Sequence, residues 1–384
     1  MNIGLALSGG GFRATVYHLG VLARLAEENR LEDVSFLSTV SGGSLCAGLI
    51  YAQNSFQWPT SQEYLNSVLP AARHLLTSVD LQYGIIRRIL RNPFRGHETR
   101  ADDLSALLQD RWGVTALLSE LPATPRWLIN STCYETGVNW RFEQLQIGDY
   151  IFGYTNDTDV PISDGMAASS GFPGLIGALK FVTEDSTWFK YIGDDELPPT
   201  PGSQEAQQKT PIDPMFPAVH LWDGGLYDNL GLEPLHNFSS GWREGVDFLI
   251  ASDASGKPGI EEYQIGARAA HRITDVLMGQ VRSLRARAVL ERMINHQDPG
   301  AFIRIGNSCE EVLTAAGKPD EAAQYCPDCL TPDEAKQAED FKTTIRQLTD
   351  DEFELLFRNG FEVADYTLYG FHEDEFAYIG YTPY

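Results

Sequence analysis

Residues 3–8 form a short apolar run ending in Ser8-Gly9-Gly10-Gly11, after which Phe12, Val16, Leu19, Leu22 and Leu25 recur at helical spacing. That order predicts a buried strand, a glycine turn and a helix. It repeats at once: residues 34–39 read as a second buried strand, Gly42-Gly43 as its turn and residues 44–52 as a small-residue helix. Two successive units of this kind imply a parallel sheet with covering helices. Between 61 and 113 the texture turns helical, with Asp102 or Asp103 opening a helix through Leu104, Leu107 and Leu108. Residues 127–133 predict a strand, 135–139 a turn and 140–146 the hairpin partner, while 218–222 and 246–252 are further buried strands. Five prolines among polar residues between 194 and 214 predict a mobile surface loop. Residues 262–294 read as a long helix broken or bent near Gly279, and Thr349-Asp350-Asp351-Glu352 fits a capping box before a helix through Phe353, Leu356 and Phe357. The expected organisation is one α/β domain over residues 1–384, with a helical insertion at about 60–115 and a helical C-terminal region at about 256–384.

Composition narrows the class. With 43% hydrophobic residues, 19 Phe, 16 Tyr and 7 Trp, the chain is a folded protein and not a disordered one. Its 29 basic against 53 acidic residues give a formal charge of −24, which repels nucleic-acid backbones and anionic bilayers at long range. No nucleic-acid partner is expected, and membrane contact has to be local. Two arginine-rich stretches run against this trend: Arg87, Arg88, Arg91, Arg95 and Arg100, then Arg268, Arg272, Arg282, Arg285, Arg287 and Arg292. They read either as solvated helix faces paired with carboxylates or, at Arg268, Arg272, Arg282 and Arg285, as a site for a small anionic effector.

An odd count of five cysteines does not suggest a disulfide framework, so reduced thiols are expected. Cys326-Pro-Asp-Cys329 with Cys309 offers three soft ligands and no fourth at finger-like spacing, which favours a redox-active pair or plain cysteines over zinc. No calcium loop of EF-hand spacing occurs, and neither metal nor cofactor is expected. The opening residues read as the first core strand and no run of 18 apolar residues occurs, so a cytoplasmic, peripherally membrane-associated protein is expected, its oligomeric state open.

The chemistry concentrates in three segments. Thr39-Val40-Ser41-Gly42-Gly43-Ser44 has the strand-to-helix build that presents a nucleophile to a bulky ester, although Thr39 stands where a G-x-S-x-G elbow has its first glycine. Taken alone it suits a loop serine equally well. Gly9-Gly10-Gly11 before a helix supplies backbone donors for an oxyanion, with the helix dipole adding to the field; a nucleotide phosphate loop is the competing reading, and neither a Walker motif nor G-x-G-x-x-G is present. Serine needs a base. None of the eight histidines sits in a triad-like setting, and His220 comes nearest, whereas Asp223 ends an apolar strand and precedes Gly224 and Gly225.

Together these segments resemble the patatin-like phospholipase family, which joins a glycine-rich oxyanion loop, a serine elbow and an Asp-Gly-Gly motif in this order. Ser8-Gly9-Gly10-Gly11-Phe12-Arg13 matches its G-G-G-x-[KR]-G except that Ala14 replaces the last glycine, a wording shared with the cytosolic phospholipases; Asp223-Gly224-Gly225 matches fully. Ala167-Ala168-Ser169-Ser170-Gly171-Phe172-Pro173 is similar to the family's segment beside the acyl chain. The resemblance covers roughly residues 3–255 and leaves 256–348 unmatched. It implies a three-layer α/β/α sandwich around a mainly parallel sheet, and a Ser41–Asp223 dyad without histidine. The amides of Gly10 and Gly11, with Gly9 as a third, would form the oxyanion hole, supported by Arg13, Gly43, Gly224 and Gly225. The substrate would be a lipid ester at a membrane surface. Ile176, Leu179, Phe181, Trp188 and Phe189, with Leu175, are candidates for an apolar lipid-facing patch, or else core. The alternatives are a ligand-switched, membrane-degrading effector answering to an anionic messenger such as a cyclic nucleotide, and a non-catalytic nucleotide- or ligand-binding module.

Overall fold

The computed structural model describes residues 1–91, 100–174, 176–192, 208–237, 239–256 and 259–384. Arg95, Leu175 and the 194–207 part of the expected loop lie outside the described residues.

The first two units fold as their patterns dictate. Strand β1 (Ile3–Leu7) leads into helix α1 (Gly11–Glu27), and β2 (Val34–Val40) into α2 (Gly42–Gln53). Both strands lie inside the sheet, so their apolar runs need no alternation. The helical excursion includes α3 (Leu81–Arg91) and α4 (Arg100–Leu107). The chain returns in β3 (Arg126–Cys133), β4 (Asn139–Phe142), β5 (Ile147–Asp149) and β6 (Gly153–Thr155), then α5 (Ile162–Ser169). Next come β7 (Leu179–Val182), β8 (Trp188–Tyr191), β9 (Lys209–Ile212) and β10 (Ala218–Asp223). A two-stranded ribbon, β11 (His236–Asn237) with β12 (Gly241–Trp242), precedes β13 (Phe248–Asp253). The remainder includes α6 (Ala267–Glu291), β14 (Gly300–Arg304) and α7 (Asp350–Phe371).

Twelve strands form one mixed sheet in the order β14-β13-β1-β2-β3-β4-β5-β6-β8-β9, with β10 joined to both β3 and β7. The five from β14 to β3 are parallel, and the rest is antiparallel. This is the mainly parallel-centred α/β fold with extra helices that the sequence implies.

Helix α7, opened by the expected Thr349/Glu352 capping box, packs along α1. The approach is close because both helices carry glycine at the crossing: a Cβ on Gly20 would meet the Phe357 carbonyl oxygen at 2.0 Å, and one on Gly360 the Tyr17 carbonyl oxygen at 2.0 Å. Fully buried Arg24 ties the pair together through Asp365 and the Ala377 carbonyl.

Three expectations need correction. Residues 209–212 are not loop but edge strand β9, paired with β8, because Lys209 covers the ring of Phe189 and Ile212 packs on the core. Helix α6 starts at Ala267 and runs unbroken through Gly279; a single glycine costs only about 1 kcal/mol, which the flanking turns carry. Cys309 and Cys326 form a disulfide, leaving Cys329 as the free member of the C-x-x-C pair, its sulfur near the Tyr366 hydroxyl. Of the two readings of the apolar segment near 176–189, core packing is the one that holds: Ile176, Leu179, Trp188 and Phe189 are buried, and Phe181 packs against the same cluster.

Candidate active site

Sheet register brings the two key residues together. Strand β2 runs parallel to β3 and ends with Val40 opposite Asn130, while β10 runs antiparallel to β3 along the same edge and ends with Asp223 opposite Ser131. The two strands therefore meet end to end on one edge of β3. Ser41 follows Val40 into that junction, and its hydroxyl comes near enough to the Asp223 carboxylate to lower that group's pKa. Gly224 is needed just beyond, since a Cβ there would meet the Asn130 carbonyl oxygen at 2.5 Å.

Ser41 has φ 50 and ψ −114, a conformation that non-glycine residues rarely adopt. The strain is held by the surroundings. The Ser41 amide donates to Ser169 Oγ at 2.9 Å, and Ser169 Oγ also contacts Ser44 Oγ at 2.9 Å. Thr39, at the position of the missing first glycine, uses its hydroxyl as a strut between Ser44 Oγ and the Trp127 indole N–H, each at 2.9 Å. Gly43 donates to the Ser8 carbonyl at 3.1 Å and so fastens the serine turn to the glycine loop.

That loop lies directly against the serine. A Cβ on Gly9 would sit 3.2 Å from Ser41 Cβ, and one on Gly42 would meet Gly11 N at 2.9 Å and Ala14 Cβ at 2.9 Å. Ala14, the departure from the family wording, is thus accommodated because Gly42 has no side chain. The Gly9 amide donates to the Asn229 carbonyl at 3.0 Å, which removes it from the expected set of oxyanion donors. The amides of Gly10 and Gly11 have no protein acceptor among the described residues and remain available. Arg13 is buried and donates to the Ala254 carbonyl at 3.0 Å and the Phe341 carbonyl at 2.5 Å, and burial lowers its pKa to about 10. Phe12 N–H donates to the Thr344 carbonyl at 2.8 Å, so the C-terminal region braces the loop from behind.

Burial sets the electrostatics. Asp223 is 3% exposed and Ser41 8%. Desolvation raises the Asp223 pKa from 3.8 to about 7, against the lowering effect of the Gly225 N–H at 2.7 Å and the Ser41 hydroxyl. A carboxylate so placed is a base of near-neutral strength.

Three supporting residues escaped the sequence reading. Ser169 lies in the segment singled out for the acyl chain, without a sign of its bond to Ser41. Asn229 bridges the loop and Ser255 Oγ, to which its amide donates at 2.7 Å. Buried His18 spans Ser252 Oγ at 2.8 Å and the Ser8 carbonyl at 2.9 Å, and burial lowers its pKa to about 4; its only signal was a histidine on an apolar helix face. His220 points away from the dyad and pairs with Glu135 at 2.7 Å.

The arginines proposed for an effector are not one open cluster. Arg282 binds Asp253, which is buried, and Arg285 lies 3.6 Å from buried Asp228 and over the Tyr227 ring. Arg272 donates to the Gly259 carbonyl at 2.6 Å, and Arg268 is exposed. Buried carboxylates bind the first two because an unpaired buried charge is far costlier than a paired one.

A mixed α/β sheet with a strained serine beneath a glycine loop and a buried aspartate at a strand end defines the class. The chain belongs to the patatin-like phospholipase family, whose model matches residues 5–236. Among solved structures it is similar to human GIVD cytosolic phospholipase A2, with 14% identity over 96% of this chain and 59% of that one at a TM-score of 0.53. The same human protein in complex with methyl gamma-linolenyl fluorophosphonate matches with 16% identity over 96% and 57% of the two chains, TM-score 0.50. The chain thus spans about three fifths of the length of these structures, and the likeness is one of fold. No curated protein matches the sequence.

Proposed function

We propose that the protein is a lipid acyl hydrolase acting through Ser41 and Asp223. The observation that carries this reading is the meeting of β2 and β10 end to end on β3, which sets Ser41 beside the buried Asp223 carboxylate, whose pKa burial raises to about 7. Asp223 accepts the Ser41 proton as Ser41 Oγ attacks the ester carbonyl. The amides of Gly10 and Gly11 receive the developing oxyanion, each worth on the order of 3 kcal/mol by analogy with other hydrolases. Asp223 then returns the proton to the departing alcohol, leaving an acyl-serine. Water, deprotonated by Asp223, releases the fatty acid and regenerates the hydroxyl. Family membership supports a lipid ester as substrate, and the fluorophosphonate complex of the human structure supports the class of probe to use.

No helix among the described residues is long and apolar enough to cross a membrane, which suits an enzyme that works from the water side. The Cys309–Cys326 disulfide speaks against the expected reducing cytoplasm and for an oxidising compartment. The ligand-switched alternative draws less support, because Arg282 and Arg285 are already engaged.

The test is covalent labelling by a fluorophosphonate together with release of fatty acid from a phospholipid panel. Wild type should label and release; Ser41→Ala should do neither, and Asp223→Asn should lose at least a hundredfold in release rate, the lower range for a general base. Folded wild-type protein that neither labels nor hydrolyses any lipid ester would remove the proposal.

A further inference from the structure

Helix α6 is amphipathic in the unexpected sense. At 100° per residue, His271, Met278, Arg282 and Arg285 share one side. That side faces the site: His271 packs edge-on against Phe172 with ring centroids 5.7 Å apart, Met278 Cε lies 3.1 Å from where a Gly225 Cβ would be, and the two arginines hold Asp253 and Asp228. Ile273, Leu277 and Leu284 fall within about 40° of one another on the opposite side, and Leu277 and Leu284 are each 61% exposed. The polar face is turned in over the dyad and the apolar face out to solvent. Just before the helix, Ile260, Tyr263 and Ile265 are also exposed.

A second apolar stripe is tied to the other side of the site. On α3, Tyr83, Ile86 and Leu90 are exposed, Leu90 to 75%, and lie on one face. Arg87, beside them, is exposed and has no ion-pair partner among the described residues. The helix start is held by Gln82 N–H to the Ile345 carbonyl at 3.2 Å, next to Thr344, which braces the oxyanion loop. In the following helix, Arg100 donates to the Gly174 carbonyl at 3.0 Å, two residues beyond Phe172.

We infer that the outward stripes of α6 and α3 form the surface by which the protein docks on a lipid bilayer, around the covered dyad; the inference rests on the lipid-hydrolase reading. Exposed Ile and Leu are costly in water and gain at an acyl boundary, and Tyr83 and Arg87 suit the headgroup level. A second copy of the chain is a poorer occupant, since two bodies of formal charge −24 repel, whereas a zwitterionic bilayer carries no net charge and Arg87, which has no ion-pair partner among the described residues, complements its phosphates.

The experiment uses the full chain, vesicles of zwitterionic phosphatidylcholine, and a monomeric short-chain ester. Leu277→Asp/Leu284→Asp, and separately Tyr83→Ser/Leu90→Asp, should each lower vesicle co-sedimentation and vesicle hydrolysis by about tenfold or more, as expected for charges and lost apolar area at an interface. Turnover of the monomeric ester, which also reports folding, should stay within about twofold. Wild-type binding and hydrolysis of vesicles by either variant would overturn the inference, as would a wild-type dimer that the Leu277/Leu284 variant dissociates. If wild type binds vesicles but hydrolyses neither vesicle lipid nor the monomeric ester, the hydrolase reading fails and the docking surface stands.

Discussion

The raised pKa of Asp223 makes Asp223→Asn informative about stability as well as catalysis. At about 1.4 kcal/mol per pH unit, a lift from 3.8 to about 7 corresponds to about 4 kcal/mol by which folding disfavours the ionised carboxylate. Below the unfolded value both states carry the proton and nothing is lost. Between 3.8 and about 7 the folded chain binds more protons than the unfolded one, so stability falls as pH rises; above about 7 the full cost is present. Asparagine has no such titration, and its oxygen can still accept the Gly225 N–H. The variant should therefore gain about 2–4 kcal/mol over wild type at pH 8, and little at pH 4. Urea denaturation of both proteins at the two pH values measures this difference directly. A gain of the same size at both pH values, or no gain at pH 8, would refute the claim that burial of this carboxylate sets its base strength. The same titration predicts that kcat/KM of wild type on a monomeric ester rises tenfold per pH unit below about 7 and levels off above it; a profile flat from pH 5 to 8 would contradict it.

Two further outcomes follow from the packing. Ser169→Ala removes the acceptor of the Ser41 amide and should lower kcat by about tenfold or more with little change in KM, the pattern of a misaligned nucleophile; steady-state kinetics on a monomeric ester tests this, and an unchanged kcat would show that the elbow holds itself. Gly20→Ala drives a methyl group into the Phe357 carbonyl and should destabilise the fold by about 2 kcal/mol or more. A thermal midpoint equal to wild type would mean that α1 and α7 separate without cost.

Which parts of the molecule were legible in the sequence follows from the range of the interactions. The ends of β2 and β10 were readable because each is an apolar run stopped by glycines, and these stops place Ser41 and Asp223 at strand ends. That the two ends meet depends on both strands pairing along one edge of β3, a register between residues about 90 positions apart in each case that no local pattern encodes. Gly9 looked the same as Gly10 and Gly11 in sequence; only the Asn229 carbonyl, brought in from beyond β10, separates their roles. The aromatic residues near 181–189 fitted core or a lipid-facing patch in sequence, since a short mixed strand reads alike from either face, and only the packing decides for the core. The inward turn of Arg282 and Arg285 was hidden for the opposite reason. Periodicity assigns charges to solvent by default, and the buried partners Asp253 and Asp228 are distant in the chain. Cysteine pairing is likewise not deducible from spacing.

The brace behind the glycine loop has a consequence for biosynthesis. Phe12 and Arg13 hang on carbonyls of Thr344 and Phe341, contributed some 330 residues later. A nascent chain emerging from the ribosome already carries Ser41 and, after residue 223, Asp223, but not the anchorage of the glycine loop. On the proposed hydrolase reading, activity is thereby withheld until the 341–344 segment has been made, and abortive products ending before about residue 340 leave the loop unbraced.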